Sequence, residues 1–273
     1  LSIEKVKKFW NSRPCNINHS KETIGTCSFF DQVEQKRYFV EPHIPQFAEF
    51  NKWKNKSVLE IGCGIGTDTI IFARAGANIT AIDISERSIQ ISQERAKVYG
   101  LSDKIDFIQG SAEEMDSLLE IKPQFDLIYS FGVIHHTPNP ENIIKWFQFL
   151  LEKNGIIKIM LYHRYSWKVL KILIKYGKLR FWKLNQIIAR HSEAQTGCPV
   201  THVYSKKQAR KMLEKHSLSV RNIDIRHIFP YRIPEYIQNQ YIKNWYFKIM
   251  PKVLFNWLQT RIGWHLLVTG QLR

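Results

Sequence analysis

The sequence predicts an α/β protein: a seven-stranded, mostly parallel sheet with helices on both faces, an N-terminal helical lid and a helical insertion after the fifth strand. Three observations lead there. From Lys56 to Tyr162, short apolar runs alternate with segments of helical period, at a spacing that joins parallel strands through crossover helices. A glycine run, Gly62-Cys63-Gly64-Ile65-Gly66, falls between the first of those strands and the helix after it. After Tyr162 the alternation gives way to basic, tryptophan-bearing helical segments and two further strand patterns.

Residues 1–50 mix helical pattern with breakers: 3–10 reads as a short helix stopping before Pro14, 30–39 as a second, and Pro42 and Pro45 bracket a turn. Strand 57–61 is followed by helix 67–75, closed by Gly76, and strand 78–82 by helix 86–99, ended by Gly100. Strand 105–108, helix 113–119, strand 125–129, helix 141–151 and strand 156–162 complete the regular part. Residues 166–190 read as one long helix, with Val169, Leu170, Leu173 and Ile174 on one side and Lys168, Lys171, Lys175 and Lys178 around it. Ser205 is placed to cap a helix over 205–216 whose apolar face is Ala209, Met212 and Leu213. Residues 218–228 alternate as a strand, an aromatic-rich helical stretch follows Pro230 and Pro234, and 263–272 reads as the last strand. The organisation expected is a lid over 1–50, a core over 51–162, a helical cap over 163–204, and a completion of the core over 205–273.

Composition narrows the class. The chain has 273 residues, 44% hydrophobic and 13% aromatic, enough for a packed core and unlike a disordered chain. Its four cysteines (Cys15, Cys27, Cys63, Cys198) are scattered, with no C-x-x-C pair, which disfavours a disulfide scaffold or a structural zinc site. No apolar run approaches the roughly 18 residues of a membrane span. The start, with Glu4, Lys5, Lys7 and Lys8, is unlike a secretory signal. We therefore expect a cytoplasmic protein. Charge is unevenly spread: residues 1–162 carry a net −1 and residues 163–273 a net +17, the latter with five of the eight tryptophans. Basic residues among aromatics suit an anionic partner, whether nucleic acid, membrane surface or substrate; solvated lysines on a packed cap are the plainer alternative.

The glycine run supplies a turn that a ligand can approach closely, and Asp83, about 20 residues on, ends the second strand where ribose hydroxyls need an acceptor. Such a turn serves nicotinamide, flavin or nucleoside ligands alike. Glu60, two residues ahead of the first glycine, suits a cationic ligand better than a pyrophosphate.

Val58-Leu59-Glu60-Ile61-Gly62-Cys63-Gly64-Ile65-Gly66 closely resembles the first motif of class I S-adenosylmethionine-dependent methyltransferases of the small-molecule type, and Ala81-Ile82-Asp83-Ile84-Ser85 resembles their second. Gln109-Gly110-Ser111-Ala112-Glu113 stands where that family places its adenine contact, although Asp is more usual there than Ser111. Residues 125–130 and Val133-Ile134-His135-His136-Thr137-Pro138 resemble the fourth strand and the loop after it. The resemblance covers residues 57–162 and implies a Rossmann-like fold and S-adenosyl-L-methionine as cofactor, with S-adenosyl-L-homocysteine as product. It implies cofactor contacts from Tyr38, Glu60, Gly62, Cys63, Gly64, Gly66, Asp83, Ile84, Ser111, Ala112 and Phe131.

An enzyme of that kind aligns a nucleophile behind an electrophilic methyl, excludes water and takes up a proton. His135 and His136, at the carboxyl edge of the sheet, are the candidate general bases; the alternative is that they only shape the pocket floor. By analogy with lids in related enzymes, Arg37 and Tyr38 would touch the methionine end, and Trp10 and Arg13 would close on the acceptor. Tyr162 and His163 are further candidate acceptor contacts. The loop after the fourth strand lacks the Asn/Asp-Pro-Pro-aromatic motif of exocyclic-amine methylation, a nucleophilic cysteine, and the clustered acids of a catechol-type metal site, so no metal is expected.

The leading reading is methyl transfer to an O or N atom of a small-molecule or lipid-linked acceptor, with a sugar or anionic acceptor open and peripheral contact with an anionic membrane one use of the cap. An RNA methyltransferase using the basic tail and a non-catalytic cofactor-binding module are the alternatives. The sequence leaves the oligomeric state open.

Overall fold

The computed structural model describes residues 2–119, 124–177, 180–191 and 198–273. Seven strands form one sheet: β1 (Ser57–Ile61), β2 (Asn78–Asp83), β3 (Ile105–Gln109), β4 (Phe125–Phe131), β5 (Leu151–Tyr162), β6 (Leu218–Arg226) and β7 (His265–Leu272). Their order is β3-β2-β1-β4-β5-β7-β6. β1 to β5 pair in parallel, whereas β7 runs antiparallel between β5 and β6. Strand order reverses on the two sides of β1, so the carboxyl ends of β1 and β4 border the crevice where ligands bind in such sheets.

The first strand is central because every residue from Val58 to Ile61 is buried, as a strand covered on both faces requires. One face buries Leu59, Ile61 and Ile128 against α6 (Met115–Leu118), α7 (Pro140–Leu150) and α10 (Lys206–Glu214). The other buries Val58, Leu127 and Tyr129 against α4 (Thr67–Arg74) and α5 (Glu86–Val98). Ser205 caps α10 through a reciprocal pair: its hydroxyl accepts from the Gln208 amide at 3.2 Å, while the Gln208 side chain accepts from the Ser205 amide at 2.9 Å.

The N-terminal segment folds over this frame as α1 (Ile3–Ser12), α2 (Cys27–Val40) and α3 (Ile44–Ala48). Phe29, Phe30 and Val33 of α2 pack on Ile65 and Ile91. The fully buried Arg95 of α5 fastens the same helix, donating to Thr67 Oγ1 at 2.8 Å, to the Phe30 carbonyl at 3.2 Å and to Glu34 at 3.1 Å.

Three expectations change. The single helix over 166–190 is instead α8 (Trp167–Ile172), a π turn over Leu173–Gly177, a 3₁₀ turn over Phe181–Lys183 and α9 (Leu184–His191); Lys178 lies outside the described residues. Regular α winding stops at Ile172, and Gly177, a residue that costs a helix interior about 1 kcal/mol relative to alanine, is the last of the π turn. The helical stretch after Pro230 divides into α11 (Ile233–Ile237), α12 (Trp245–Lys248) and α13 (Lys252–Ile262). The last strand starts at His265 because Gly263 passes close beneath β6: a Cβ there would lie 2.3 Å from the Arg226 carbonyl oxygen.

Replacing Arg95 removes the donor to three acceptors at once. Arg95→Leu is expected to cost about 2–4 kcal/mol and lower the unfolding midpoint in denaturant titration; a change within about 0.5 kcal/mol would show that Arg95 does not hold α2.

Candidate active site

After β1 the chain must turn sharply under the neighbouring loop. A Cβ on Gly62 (φ +80°) would lie 2.2 Å from Val133 Cγ2, whereas one on Gly64 (φ +55°) would meet nothing within 4 Å, because Gly64 faces an open cleft. Four of the five amides over 62–66 donate within the protein: Gly62 and Cys63 to the Ile82 carbonyl, Gly66 to that of Cys63, and Gly64 to a carboxylate. Gly64 donates to Asp83 Oδ2 at 2.8 Å, and Asp83 Oδ1 accepts from the Ser85 amide at 2.8 Å. Burial raises the Asp83 pKa, and those two N–H donors counter part of the rise.

Beside the turn, Asp68 in the first turn of α4 gathers four donors. Arg37 grips it with two nitrogens at 3.1 and 2.9 Å, Tyr38 Oη at 3.0 Å and Tyr129 Oη at 2.8 Å. Burial and the Asp68 charge push both phenols well above their usual pKa, so they stay neutral donors. Glu60 accepts from Thr69 Oγ1 at 2.6 Å; burial first, then the Asp68 charge, pushes its pKa up to about 8. Burial also raises the Cys63 thiol well above its usual pKa, making it unreactive.

These groups line a cleft of about 1000 Å³, counting its mouth open to solvent. Of the sequence-predicted residues, the cleft brings together Trp10, Arg37, Glu60, Gly62, Cys63, Gly64, Asp83, Ile84, Ser111, Ala112, Phe131 and His136. Ser111 also caps the turn that follows, accepting from the Glu113 amide at 3.3 Å. His136 Nδ1 is 3.0 Å from the Val200 carbonyl oxygen and 3.1 Å from Thr201 Oγ1, and its ring meets Trp10 edge-on at 5.4 Å.

The other expected residues stand elsewhere. His135 is fully buried against Tyr162, ring centroids 3.8 Å apart, outside the cleft lining, and burial drives its pKa well below the usual value. That geometry removes it as a proton acceptor for a cleft-bound ligand. Tyr162 is stacked between His135 and Trp264, and His163 is pinned to the Gly263 carbonyl at 3.1 Å; both pack the insertion rather than face the cleft. Arg13 lies over the Phe9 ring on the outer side of α1, lining a separate shallow surface hollow. Tyr38 stands behind Asp68, and Gly66 opens α4, neither lining the cleft. The sequence reading missed Asp68, six residues after Gly62, whose signal was an acid in the first turn of the helix after the glycines. It also missed Ile3 and Val6, which form a cleft wall with Trp10.

A family model described as a methyltransferase domain matches residues 52–217, more than half of the chain. The chain belongs to that methyltransferase-domain family. It is 28% identical over 171 residues to the ubiquinone biosynthesis O-methyltransferase of Rickettsia conorii, covering 59% of this chain and 57% of that protein. It is 36% identical over 126 residues to the enzyme of the same name from Pelagibacter ubique, covering 45% of this chain and 50% of that one. The matches thus span about half the length of these curated relatives. Among solved structures, magnesium protoporphyrin IX methyltransferase from Synechocystis PCC 6803 with bound SAH superposes over the whole of both chains at TM-score 0.62 and 14% identity, a likeness of fold.

The Glu60 shift makes stability depend on pH. Between about 4.5 and 8 the unfolded chain releases this proton while the folded protein keeps it, so stability falls as pH rises through that window and levels off above about 8. Glu60→Gln, which keeps the neutral shape, is expected to flatten that slope in thermal melts between pH 5 and pH 8; an unchanged slope would place the titration on another group.

Proposed function

We propose that the chain transfers a methyl group from S-adenosyl-L-methionine to an oxygen of a small-molecule acceptor. The observation that carries this reading is the commitment of the Gly62, Cys63, Gly64 and Gly66 amides to Ile82, Cys63 and Asp83, which leaves a carboxylate-rich cleft rather than a phosphate cradle. Glu60, Asp68 and Asp83 face it, with Arg37 as the single Lys or Arg among the described residues of the lining. The residues suit the cofactor: Asp83 for ribose hydroxyls, Ser111 and Ala112 beside the base, and the Glu60 and Gly62 end for the cationic amino-acid portion. When bound, S-adenosylmethionine supplies an electrophilic sulfonium methyl. Trp10, Val6 and Phe131 offer an apolar wall that orients an acceptor and excludes water. His136 is the group assigned to take a hydroxyl proton: in the tautomer whose Nδ1–H donates to the Val200 carbonyl, the lone pair is on Nε2. The relatives' names support oxygen as the acceptor atom.

Calorimetry with S-adenosylmethionine and its demethylated product tests the cofactor assignment. Asp83→Ala is expected to weaken binding about tenfold or more, as loss of a charged hydrogen-bond acceptor does. His136→Gln is expected to lower kcat about 10²-fold or more with cofactor affinity retained. No binding heat from wild type would overturn the cofactor assignment, and full turnover by His136→Gln would return that side chain to scaffolding.

The acceptor reading extends to a lipid-linked molecule reached from an anionic membrane surface. Ile174, Trp182, Trp245, Ile249, Val253 and Trp257 are exposed, among Lys171, Lys175, Lys248, Lys252 and Arg261. Lys171 reaches the Tyr246 hydroxyl at 3.3 Å and Trp167 meets the Tyr246 ring, which joins the two helical segments into one surface. Apolar and cationic side chains presented together match an anionic bilayer interface. Among the described residues no helix is long and apolar enough to cross a membrane. Cosedimentation is expected with phosphatidylglycerol vesicles and not with phosphatidylcholine vesicles, and to be lost in Trp245→Ser/Val253→Asp. Equal binding to both lipids, or self-association in place of binding, would overturn the membrane assignment.

A further inference from the structure

Four side chains from distant parts of the sequence meet behind Phe131, outside the cleft lining. Glu41 follows the C-terminal end of α2, and His43 stands just ahead of α3. His227 follows β6, and His265 opens β7 opposite Tyr162 and Arg226. One donor atom each from Glu41, His227 and His265 lie within 4.8 Å of one another. His265 Nε2 is 3.6 Å from Glu41 Oε1, and its Nδ1 is 2.9 Å from His43 Nε2. The three imidazoles are at most 8% exposed.

We propose that Glu41, His227 and His265 form a binding site for one divalent transition-metal ion, with His43 as the outer partner that orients His265. Two imidazoles and one carboxylate are a donor set that zinc and its neighbours in the first transition row accept. Bonds of about 2.0–2.2 Å place adjacent donors roughly 3–3.5 Å apart, so side-chain movements of about an ångström complete the set. A ligating histidine ordinarily gives its second ring N–H to a fixed acceptor, and His43 Nε2 supplies one. His227 adopts φ +71°, a backbone region costly for a bulky residue, and thereby stands beside His265, ring centroids 4.6 Å apart.

The neighbouring charges decide which ion. Arg226 and Arg37 act on His43, and Lys168 acts on His227 and His265. They repel an ion held by charge alone, which disfavours Ca²⁺ and Mg²⁺ with their oxygen donors; bonds to neutral imidazole nitrogen favour Zn²⁺ or Co²⁺. The bound ion ties the segment after α2 to the edge of β6 and β7. It also backs Phe131, whose ring is 5.6 Å from that of His265 and which lines the cleft. Its role is to fasten the N-terminal segment, and it does not depend on methyl transfer.

The full chain, stripped with chelator and titrated with Co²⁺, is expected to develop visible d–d bands at one equivalent, without thiolate charge transfer. Zn²⁺ should displace the Co²⁺, and elemental analysis after dialysis should find about one Zn²⁺ per chain. His265→Ala and the volume-conserving Glu41→Gln are expected to abolish the bands or weaken Co²⁺ binding at least tenfold, and His43→Gln to weaken it about ten- to hundredfold. Added Zn²⁺ should raise the melting temperature of wild type and slow proteolysis between residues 41 and 56. Absence of bands in wild type, bands that survive both His265→Ala and Glu41→Gln, or a melting temperature indifferent to Zn²⁺ would each overturn the site.

Discussion

The bond from the Gly64 amide to the Asp83 carboxylate is the constraint around which the cleft is built. It joins the turn after β1 to the end of β2, and the second Asp83 oxygen takes the Ser85 amide and so fixes the entry into α5. Because Gly62, Cys63 and Gly66 also donate within the protein, these amides have no donor left for a phosphate. A dinucleotide turn of similar glycine content works the other way, aiming its amides at a pyrophosphate. Here the turn offers close approach without positive potential.

That potential is in fact reversed. The chain carries +16 overall, yet among the described residues the cleft presents Glu60, Asp68 and Asp83 against one arginine. Arg37 holds Asp68 through two nitrogens, together with two phenols kept neutral by burial and the same carboxylate. Glu60 is left as the acid that holds its proton near neutral pH without a cation and would give it up to one, because burial and Asp68 both oppose its charge. A positively charged ligand therefore gains most in this cleft.

Legibility followed chain distance. Strands β1 to β5 and the glycine turn were readable because period, turn residues and the acid at position 83 all lie within short windows. Ser205 was readable as a cap for the same reason. The helix over 166–190 was not, because its lysines and leucines keep a helical period past Leu173, where α winding gives way to a π turn. His135 and His136 are adjacent and looked equivalent; a 3₁₀ turn over Ile134–His136 sends one ring into the Tyr162 stack and the other to the cleft. The argument against a metal considered cysteine pairs and the loop after β4, whereas Glu41, His43, His227 and His265 converge across up to 224 positions of sequence.

On the proposed function, the same distinction bears on where acceptor choice is encoded. The family match starts at residue 52, after the whole N-terminal segment. Ile3, Val6 and Trp10, which wall the cleft opposite the glycine turn, lie before it, and the Cys198–Thr201 stretch that anchors His136 Nδ1 falls in the insertion after β5. In the proposed function the shared core, with its turn, Asp83 and the edge of β4, serves the cofactor. The acceptor-facing surfaces then come from α1, whose Asn11 Oδ1 accepts from the Arg87 amide of α5 at 3.0 Å, and from contacts of the insertion. On that reading a change of acceptor calls for new side chains on α1 while Glu60, Gly64 and Asp83 stay as they are, so one core can serve many acceptors.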